Sequence, residues 1–282
     1  MLVIVWGDVR LGVVMRDAID TPGMLTLMQE VAAEVIDPRF RALAQGEVSS
    51  KAHPRDLVTV ADREAEVLLT RALRAAYPHA MVLGEEAAAA DPDLLAAFRA
   101  ASADHAFTVD PVDGTRNFVA GSPDHAVMVG EVRGGQAVRA WIWQPQHGMA
   151  YVAEQGAGAW RDGHRLAPLA VGPDPQDWRV RTSDPRRIGR ALGPTPPMEL
   201  TWISCGIDYP KLVEGACDAL VYRATRPWDH VPGALLLAEV GGAVGDTGGH
   251  LYSPQREHRD LIAAASPAVL EVLGAAARDD SR

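Results

Sequence analysis

Residues 105–115 decide the fold that we predict for this chain, and they read His-Ala-Phe-Thr-Val-Asp-Pro-Val-Asp-Gly-Thr. The apolar, β-branched and aromatic start of this stretch predicts a buried strand that ends at Asp110. Pro111 presets the backbone of a turn, and Asp113 follows three residues after Asp110. Two carboxylates held together at the end of a buried strand repel each other unless a cation lies between them.

The next two residues, Gly114 and Thr115, offer backbone N–H groups directly after this acid pair. Such free N–H groups attract anions. A cation site beside an anion site is what metal-dependent phosphate chemistry requires. The alternative for the same residues is a plain turn, in which an aspartate caps a helix and the glycine adopts a positive φ.

The bulk composition is typical of a soluble globular protein. The 282 residues are 48% hydrophobic and 23% charged, which allows one large or two ordinary domains with a substantial core. The formal net charge of −10 argues against a nucleic-acid partner and fits an enzyme whose acids are partly neutralised by divalent ions. Since Cys205 and Cys217 are the only cysteines, we expect neither a disulfide framework nor a zinc cluster.

The N-terminus is apolar over residues 1–6, but Asp8 and Arg10 interrupt it, and it lacks the basic start and cleavage site of a signal peptide. We expect residues 1–23 to be an N-terminal extension that is disordered or not native. For residues 1–14 the alternatives are a non-native extension and an upstream start. No uncharged run approaches membrane-spanning length. The expectation is therefore a cytoplasmic protein with no membrane partner.

Hydrophobic periodicity predicts a mixed α/β or α+β fold with layered sheets. The predicted helices cover residues 24–41, 62–77, 91–103, 209–214 and 229–240. The predicted strands cover residues 81–83, 105–110, 126–129, 138–143, 200–204, 219–222 and 260–265. The expected divisions are an N-terminal α+β half over 24–170, a C-terminal α/β half over 171–270 and a tail over 271–282.

Further acids occur in similar contexts. Glu85 and Glu86 follow a predicted strand and a glycine, Asp229 lies at the start of an apolar helix, and Asp62 opens the second long helix. Each has a structural alternative, as a solvated turn residue or a helix cap. Several carboxylates at the ends of buried elements nevertheless favour shared cations, and hard oxygen ligands suit Mg²⁺.

Spacing tests other phosphate-processing sites. Aspartyl-phosphate phosphatases need Asp-x-Asp-Gly-Thr, whereas the offset from Asp110 to Asp113 is three. Cys217 and Arg223 have the spacing of thiol phosphatases, but the residues between them lack glycine and predict a strand instead of a phosphate-binding loop. No Gly-x4-Gly-Lys-Ser/Thr loop occurs, which excludes a P-loop enzyme.

The ordered motifs from about Met24 to Ala265 resemble the inositol monophosphatase family. The segments that carry the resemblance are Asp56-Leu57-Val58-Thr59 with Asp62, Gly84-Glu85-Glu86, Asp110 to Thr115 with Asn117-Phe118, and Trp228-Asp229 with Gly241-Gly242. The resemblance implies a layered α-β-α-β-α sandwich and a homodimer. It also implies a Mg²⁺-dependent, lithium-sensitive phosphatase that binds a small phosphorylated substrate and two to three Mg²⁺ ions per site.

The resemblance also implies roles for individual positions. Metal ligands would be Glu85, Asp110, the Val112 carbonyl, Asp113 and Asp229, with Glu85 also counted as catalytic and a weaker third ion near it. Thr115 and Asp62 would orient the attacking water, and the N–H groups of Gly114 and Thr115 would bind phosphate. Asp113 and Asp229 would also contact substrate, and Lys51 would lie on a mobile loop near the metals.

The substrate side departs from the inositol-specific pattern. Asp208 places a charge where that pattern has small residues, and Tyr222 replaces a glutamate that binds inositol hydroxyls. We therefore expect both residues at the substrate rim, and we do not expect myo-inositol 1-phosphate as the best substrate. Histidinol phosphate, fructose 1,6-bisphosphate and 3′-phosphoadenosine 5′-phosphate stay open, as does a regulatory protein that acts by binding a partner on the same fold.

Overall fold

The computed structural model describes residues 18–50, 57–101 and 103–279. Within them the α-helices are α1 Thr21–Val31, α2 Val60–Ala76, α3 Glu85–Ala90, α4 Pro92–Arg99, α5 Thr115–Val119, α6 Cys205–Val213, α7 Pro227–Ala238 and α8 Pro267–Asp279. The first nine strands are β1 Val48–Ser50, β2 Leu57–Thr59, β3 Met81–Gly84, β4 His105–Asp113, β5 Ala126–Arg133, β6 Gln136–Gln144, β7 Met149–Glu154, β8 Gly158–Arg161 and β9 His164–Arg165. The later strands are β10 Val180–Thr182, β11 Glu199–Leu200, β12 Ala219–Tyr222, β13 Ala243–Asp246 and β14 Leu261–Ala264.

The helices and the two large sheets stack in five layers. Helices α1 and α2 cover one face of a seven-stranded sheet, whose strand order is β3-β4-β5-β6-β7-β8-β9. Helices α6 and α7 lie between that sheet and a five-stranded sheet of order β11-β10-β12-β14-β13. Helix α8 packs on the outer face of the five-stranded sheet. The predicted layered α-β-α-β-α fold is confirmed.

Each helix carries the apolar pattern that its layer demands. In α2, Ala65, Leu69 and Leu73 form a buried stripe at helical spacing that packs on the sheet. Residues 230–237 of α7 are all buried, because this helix is covered by a sheet on both sides. Among the described helices, none is long and apolar enough to cross a membrane.

The first helix begins and ends earlier than the sequence predicted. Helix α1 begins at Thr21, not Met24, because the Asp20 carboxylate caps it by accepting a 2.8 Å hydrogen bond from the Gly23 N–H. It ends at Val31 and continues as a π-helical turn over 32–36. Residues 18–23 therefore belong to the folded part and not to an extension, while residues 1–17 lie outside the described residues.

The C-terminal segment is likewise not a tail over its described residues. Helix α8 reaches Asp279, and its Leu273 and Ala277 side chains are buried in the outermost part of the core. The many alanines of α8 made it difficult to recognise from the sequence the apolar face that packs on the sheet. Burial of these side chains binds the segment to the five-stranded sheet by the hydrophobic effect.

The predicted strand over 200–204 is also wrong beyond Leu200. Residues 201–204 form a loop, because Ile203 has a φ of +63° that no strand accommodates. The sequence did not predict the short strands β10 and β13, since three or four residues are too few to show an alternation of apolar and polar side chains. The predicted helix over 91–103 is shorter and is observed as α4.

Candidate active site

A bulge in β4 brings its two aspartates together. Asp110 pairs with Met128 of β5 and Asp113 pairs with Ala126, so three steps on β4 oppose two on β5. Without the bulge, side chains three residues apart point to opposite faces of a sheet. Pro111 lies within this bulge, where it has no N–H to give to the ladder. The strand thus continues through Asp113 and does not end at Asp110 as predicted.

Asp229 joins this pair from the first turn of α7. Carboxylate oxygens of Asp110, Asp113 and Asp229 all lie within 4.8 Å of one another. Burial raises the pKa of Asp110 well above its usual range, and the charges of Glu85, Asp113 and Asp229 raise it further. Burial and the charge of Asp113 likewise raise the pKa of Asp229. Such a group of buried oxygen ligands has the chemistry of a divalent-cation site.

The loop over 201–204 fixes the position of Asp113. The Ser204 hydroxyl and the Gly206 N–H, the latter at 2.7 Å, both donate to the same carboxylate oxygen of Asp113. Burial raises the pKa of Asp113 to about 6, although these hydrogen bonds oppose the rise. Sequence reasoning missed Ser204, since no motif connects it with Asp113, which lies 91 residues away in the sequence.

Two amide contacts hold that loop in turn. Asn117 donates a 2.8 Å hydrogen bond to the Trp202 carbonyl, and the Trp202 N–H donates at 2.7 Å to Asp208. Between these bonds and Ser204 lies Ile203, which lines the cleft with its left-handed backbone. A β-branched residue in that conformation is strained. The hydrogen bonds on either side keep the strained loop in place.

The structure brings Asp62 and Thr115 together as predicted. The Thr115 hydroxyl lies 3.0 Å from a carboxylate oxygen of Asp62 and 3.1 Å from the Val112 carbonyl oxygen. Asp62 also accepts a 2.8 Å hydrogen bond from the Thr59 N–H as part of a capping box at the start of α2. Burial raises the pKa of Asp62 to about 6, against the lowering effect of the bonds from Thr59.

Glu85 occupies the first position of α3 and lines the same cleft as the three aspartates. The carboxylate of Glu66, on α2, accepts hydrogen bonds from the N–H groups of Glu86 at 2.7 Å and Ala87 at 2.8 Å. A Cβ on Gly84 would lie 2.3 Å from the Glu66 carboxyl carbon. Gly84 is therefore the residue that lets the Glu66 carboxylate approach and anchor the start of α3.

Gly114 turns the backbone from β4 into α5. Its φ of +85° is left-handed, and an added Cβ would lie 2.9 Å from the Ser204 Cβ and 3.1 Å from the Asp124 carbonyl oxygen. Gly114 and Thr115, at the start of α5, both line the cleft, and the first N–H groups of a helix have no partner within the helix. These are the groups that the sequence predicted for phosphate binding.

The cleft encloses about 790 Å³ and combines both signs of charge. Acids line one part of it, and Arg116, Arg223 and Arg226 line it as well. Sequence reasoning assigned no role to these arginines, because spacing does not show which charged side chains face a cavity. The predicted mobile-loop residue Lys51 lies outside the described residues, as does Asp56.

Asp208 and Tyr222 are not at the substrate rim, so the prediction for both is wrong. Asp208 is 1% exposed and Tyr222 is 3% exposed, and neither lines the cleft. The Tyr222 hydroxyl donates to Asp208 at 3.3 Å, and burial raises the pKa of Asp208 well above its usual range. Asp208 instead supports the loop over 201–204 from beneath, through its bond to Trp202.

Comparison with known proteins gives consistent matches. The model of the "Inositol monophosphatase family" matches residues 23–282. Nus factor SuhB of Escherichia coli K12 is 28% identical over 243 residues, which covers 82% of this chain and 86% of the relative. Nus factor SuhB of Pseudomonas aeruginosa PAO1 is 29% identical over 244 residues, which covers 81% and 88%.

Solved structures share the fold. An IMPase of Thermotoga maritima superposes with a TM-score of 0.74 at 22% identity, covering 90% of this chain and 96% of the other. An inositol monophosphatase of Zymomonas mobilis gives a TM-score of 0.72 at 23% identity, with the same coverage. At these identities the likeness establishes the layered architecture.

Proposed function

This chain belongs to the inositol monophosphatase family, and from that premise we propose that it is a Mg²⁺-dependent phosphomonoesterase. It would hydrolyse a small phosphorylated alcohol or sugar with an activated water and without a protein nucleophile. The observation that carries the proposal is the group formed by the buried Asp110 and Asp113 and the half-buried Asp229, whose carboxylate oxygens lie within 4.8 Å of one another. Oxygen ligands of this kind match the preference of Mg²⁺.

The residues present fit two to three Mg²⁺ ions. Glu85, Asp110 and the Val112 carbonyl would hold one ion, and Asp110, Asp113 and Asp229 a second, with a weaker third near Glu85. Bound Mg²⁺ lowers the pKa of a coordinated water and neutralises charge that develops on phosphate oxygens. The raised pKa of Asp110 supports the assignment, since burial and the charges of Glu85, Asp113 and Asp229 disfavour its ionised form and a bound cation would favour it.

Thr115 and Asp62 would position the attacking water. The Thr115 hydroxyl donates a hydrogen bond to the Asp62 carboxylate, so the lone pairs of Thr115 Oγ1 can accept a hydrogen bond from that water. The buried setting of Asp62 raises its pKa to about 6, a value that suits transient proton uptake near neutral pH.

The N–H groups of Gly114 and Thr115 would hold the phosphate and stabilise the charge on its oxygens. Because the backbone of Gly114 is already turned, these donors need no reorganisation during the reaction. Asp113 and Asp229 would also contact the substrate from their positions in the same cleft.

Membership of the family does not identify the alcohol part of the substrate. Asp208 is buried and does not line the cleft, so its carboxylate is not available to bind the amine of histidinol phosphate. Fructose 1,6-bisphosphate and 3′-phosphoadenosine 5′-phosphate stay candidates, together with other phosphorylated alcohols. Lithium sensitivity, a homodimer and a cytoplasmic location stay predictions.

A purified-protein assay tests the proposal. Phosphate release from p-nitrophenyl phosphate, myo-inositol 1-phosphate, histidinol phosphate and the two bisphosphates is measured with Mg²⁺ and with EDTA. Asp113→Asn should lower kcat by at least about a hundredfold, the size expected when a main electrostatic stabiliser is lost. Asp104→Asn, an exposed matched control, should keep wild-type activity. Near-normal turnover in EDTA, or by Asp113→Asn, would contradict the metal assignment.

A second candidate is a regulatory protein that acts by binding a partner. Its support is the name that the relatives in Escherichia coli and Pseudomonas aeruginosa carry, Nus factor SuhB. Complementation separates the two roles: a deletion strain is supplied with wild type or with Asp113→Asn. Full rescue by the inactive variant would establish the binding role, whereas rescue by wild type alone ties function to catalysis.

A further inference from the structure

Three arginines line the cleft beside the acidic group. Arg116 comes from α5, Arg223 directly follows β12, and Arg226 precedes α7. All three side chains are exposed to solvent. Helix α5 and the loop between β12 and α7 therefore both supply positive charge to the lining of one cavity of about 790 Å³, in a chain whose net charge is −10.

Among the described residues, none of these arginines forms an ion pair. In the C-terminal half, four other arginines pair with carboxylates, namely Arg179 with Asp218, Arg181 with Glu199, Arg186 with Asp184 and Arg187 with Asp260. Arg190, Arg256 and Arg259 are also unpaired among the described residues, but they do not line the cleft. The positive charge of Arg223 helps to lower the pKa of Asp184. The Asp184 carboxylate already accepts two hydrogen bonds from the Arg186 guanidinium, at 3.0 and 2.7 Å. Arg186, and not the guanidinium of Arg223, is therefore the group that binds the Asp184 carboxylate.

The local backbone separates Arg223 from the neighbouring buried acid. Tyr222 points into the core and uses its hydroxyl on Asp208, whereas the next residue, Arg223, lines the cleft. The acid on this side is therefore turned away and only the cation faces the cavity. Arg226 differs, because its charge also acts on Asp229 and offsets part of the acidic group. The charge of Arg223 acts instead on Asp184, which lies outside the lining of the cleft.

We propose that the substrate carries a second anionic group, a phosphate or a carboxylate, which Arg223 binds together with Arg116 and Arg226. This inference rests on the proposed function, because the acids, Gly114 and Thr115 already account for the phosphate that is cleaved. A guanidinium binds such groups with two parallel N–H donors, which gives both affinity and orientation. A neutral polyol offers no matching charge. This gives a new physical reason for not expecting myo-inositol 1-phosphate as the best substrate.

Two matched substrate pairs test the proposal with Mg²⁺ present. Fructose 1,6-bisphosphate is compared with fructose 1-phosphate, and 3-phosphoglycerate with glycerol 3-phosphate, so that each pair differs in the second anion. We expect kcat/KM to be at least about tenfold higher for the doubly anionic member of one pair, and which pair responds identifies phosphate or carboxylate. The preference should weaken with added KCl, because the arginines are exposed.

Substitutions then assign the preference to the residues. Arg223→Gln should lower the ratio of the two kcat/KM values by about tenfold. Arg190→Gln, which removes an exposed charge that does not line the cleft, should leave the ratio unchanged. Fructose 6-phosphate, which offers only the second anion, should inhibit hydrolysis of p-nitrophenyl phosphate by wild type more strongly than by Arg223→Gln.

The outcomes separate the two levels of the argument. Hydrolysis of p-nitrophenyl phosphate without a preference in either pair overturns the second-anion inference and leaves the proposed function intact. A preference that persists in Arg223→Gln also overturns the assignment to this arginine. Absence of hydrolysis for every ester would overturn the proposed function itself.

Discussion

At the scale of single residues, the candidate site depends on a few backbone positions that only glycine fills without strain or crowding. Gly114 is one, because it must be left-handed and also lie against the Ser204 side chain. Ser204 in turn donates to Asp113. The conformation of one glycine is therefore coupled to the position of a proposed metal ligand.

Gly114→Ala tests this coupling. The left-handed backbone costs an alanine about 1–2 kcal/mol, and the 2.9 Å approach to Ser204 adds crowding. We expect the free energy of unfolding to fall by about 2 kcal/mol or more. We expect kcat/KM to fall by about tenfold, equivalent to about 1.4 kcal/mol of transition-state stabilisation. Denaturant titration and steady-state kinetics measure the two effects.

Gly163→Ala is the matched control for that substitution. Gly163 has a similar φ of +77°, but no described atom lies within 4 Å of the position of an added Cβ. It should lose about 1 kcal/mol of stability and keep its kcat/KM. If both variants lose the same stability and neither loses activity, Gly114 has no role beyond the turn.

At the scale of elements, α2 organises the acidic side of the cleft with two buried acids one turn apart. Asp62 bonds Thr115 of α5, and Glu66 bonds the first N–H groups of α3. Both acids share a helix face, since their spacing is four residues. Helix α2 thereby fixes the relative positions of Thr115 and Glu85.

Glu66→Gln tests the anchoring of α3. The substitution keeps one acceptor oxygen and removes the negative charge that favours a helix N-terminus, which costs roughly 1 kcal/mol of stability. Because Glu85 then moves more freely, the Mg²⁺ concentration for half-maximal activity should rise about tenfold. Glu30→Gln, on an exposed part of α1, should change neither quantity. An unchanged Mg²⁺ requirement in Glu66→Gln would show that Glu85 is held by other contacts.

Another buried acid, Glu131, bonds residues of the seven-stranded sheet. Glu131 of β5 accepts hydrogen bonds from Arg133 and Arg139, and Arg139 also donates to Tyr77 at the end of α2. Burial alone would raise the pKa of Glu131, but the bonds and charges of Arg139 and Arg133 outweigh it and lower the pKa. The ionised carboxylate is therefore the form that stabilises the fold.

The effect of Glu131→Gln on the free energy of unfolding should depend on pH, because the pKa of Glu131 is lowered in the folded state. Stability from a lowered pKa is present above the unfolded value of about 4.3 and is lost as pH falls through the folded value. We expect the variant to lose about 2 kcal/mol at pH 7, less than for full removal of a buried partner because the amide still accepts a bond. The difference from wild type should shrink below about pH 4.

Glu199→Gln provides the control for Glu131→Gln. Its carboxylate is 70% exposed where it meets Arg181, so loss of that surface pair should cost less than about 1 kcal/mol. Denaturation curves from pH 3 to 8 compare both variants with wild type. A pH-independent loss in Glu131→Gln would mean that packing, and not ionisation, is what the substitution removes.

At the scale of the whole molecule, the sequence predicted the layers and most of the proposed ligands. Apolar periodicity is a local property, so α2, β12 and α7 are evident from their own residues. Asp110, Asp113 and Asp229 follow from motifs at the ends of such elements, and the structure places their oxygens together.

Side-chain direction was the part that the sequence did not determine. Tyr222 and Arg223 are neighbours, yet one is buried and the other lines the cleft, and only tertiary packing decides which. The same holds for Asp208, which the family resemblance placed at the rim and the structure places beneath a loop. The strained Ile203 is a further case, since long-range hydrogen bonds override its preference for a strand.

The acidic group links the site to the stability of the entire fold. Without a cation, Asp110 lies among Glu85, Asp113 and Asp229, and their mutual repulsion opposes folding. Mg²⁺ binds only where these ligands are assembled, so it should stabilise the native state by about 2.7 kcal/mol at one hundred times its Kd. For a chain of this length that corresponds to a rise in Tm of roughly 5 °C or more.

Asp110→Asn separates repulsion from simple loss of structure. The amide oxygen can still accept the 3.2 Å hydrogen bond from the Val112 N–H, while one repelling charge is gone. At pH 8 we expect the variant in EDTA to melt at a higher temperature than wild type and to gain less from millimolar Mg²⁺. Asp104→Asn, an exposed control, should behave as wild type. If wild type shows no Mg²⁺ shift, or Asp110→Asn melts lower in EDTA, these carboxylates do not form a shared cation site.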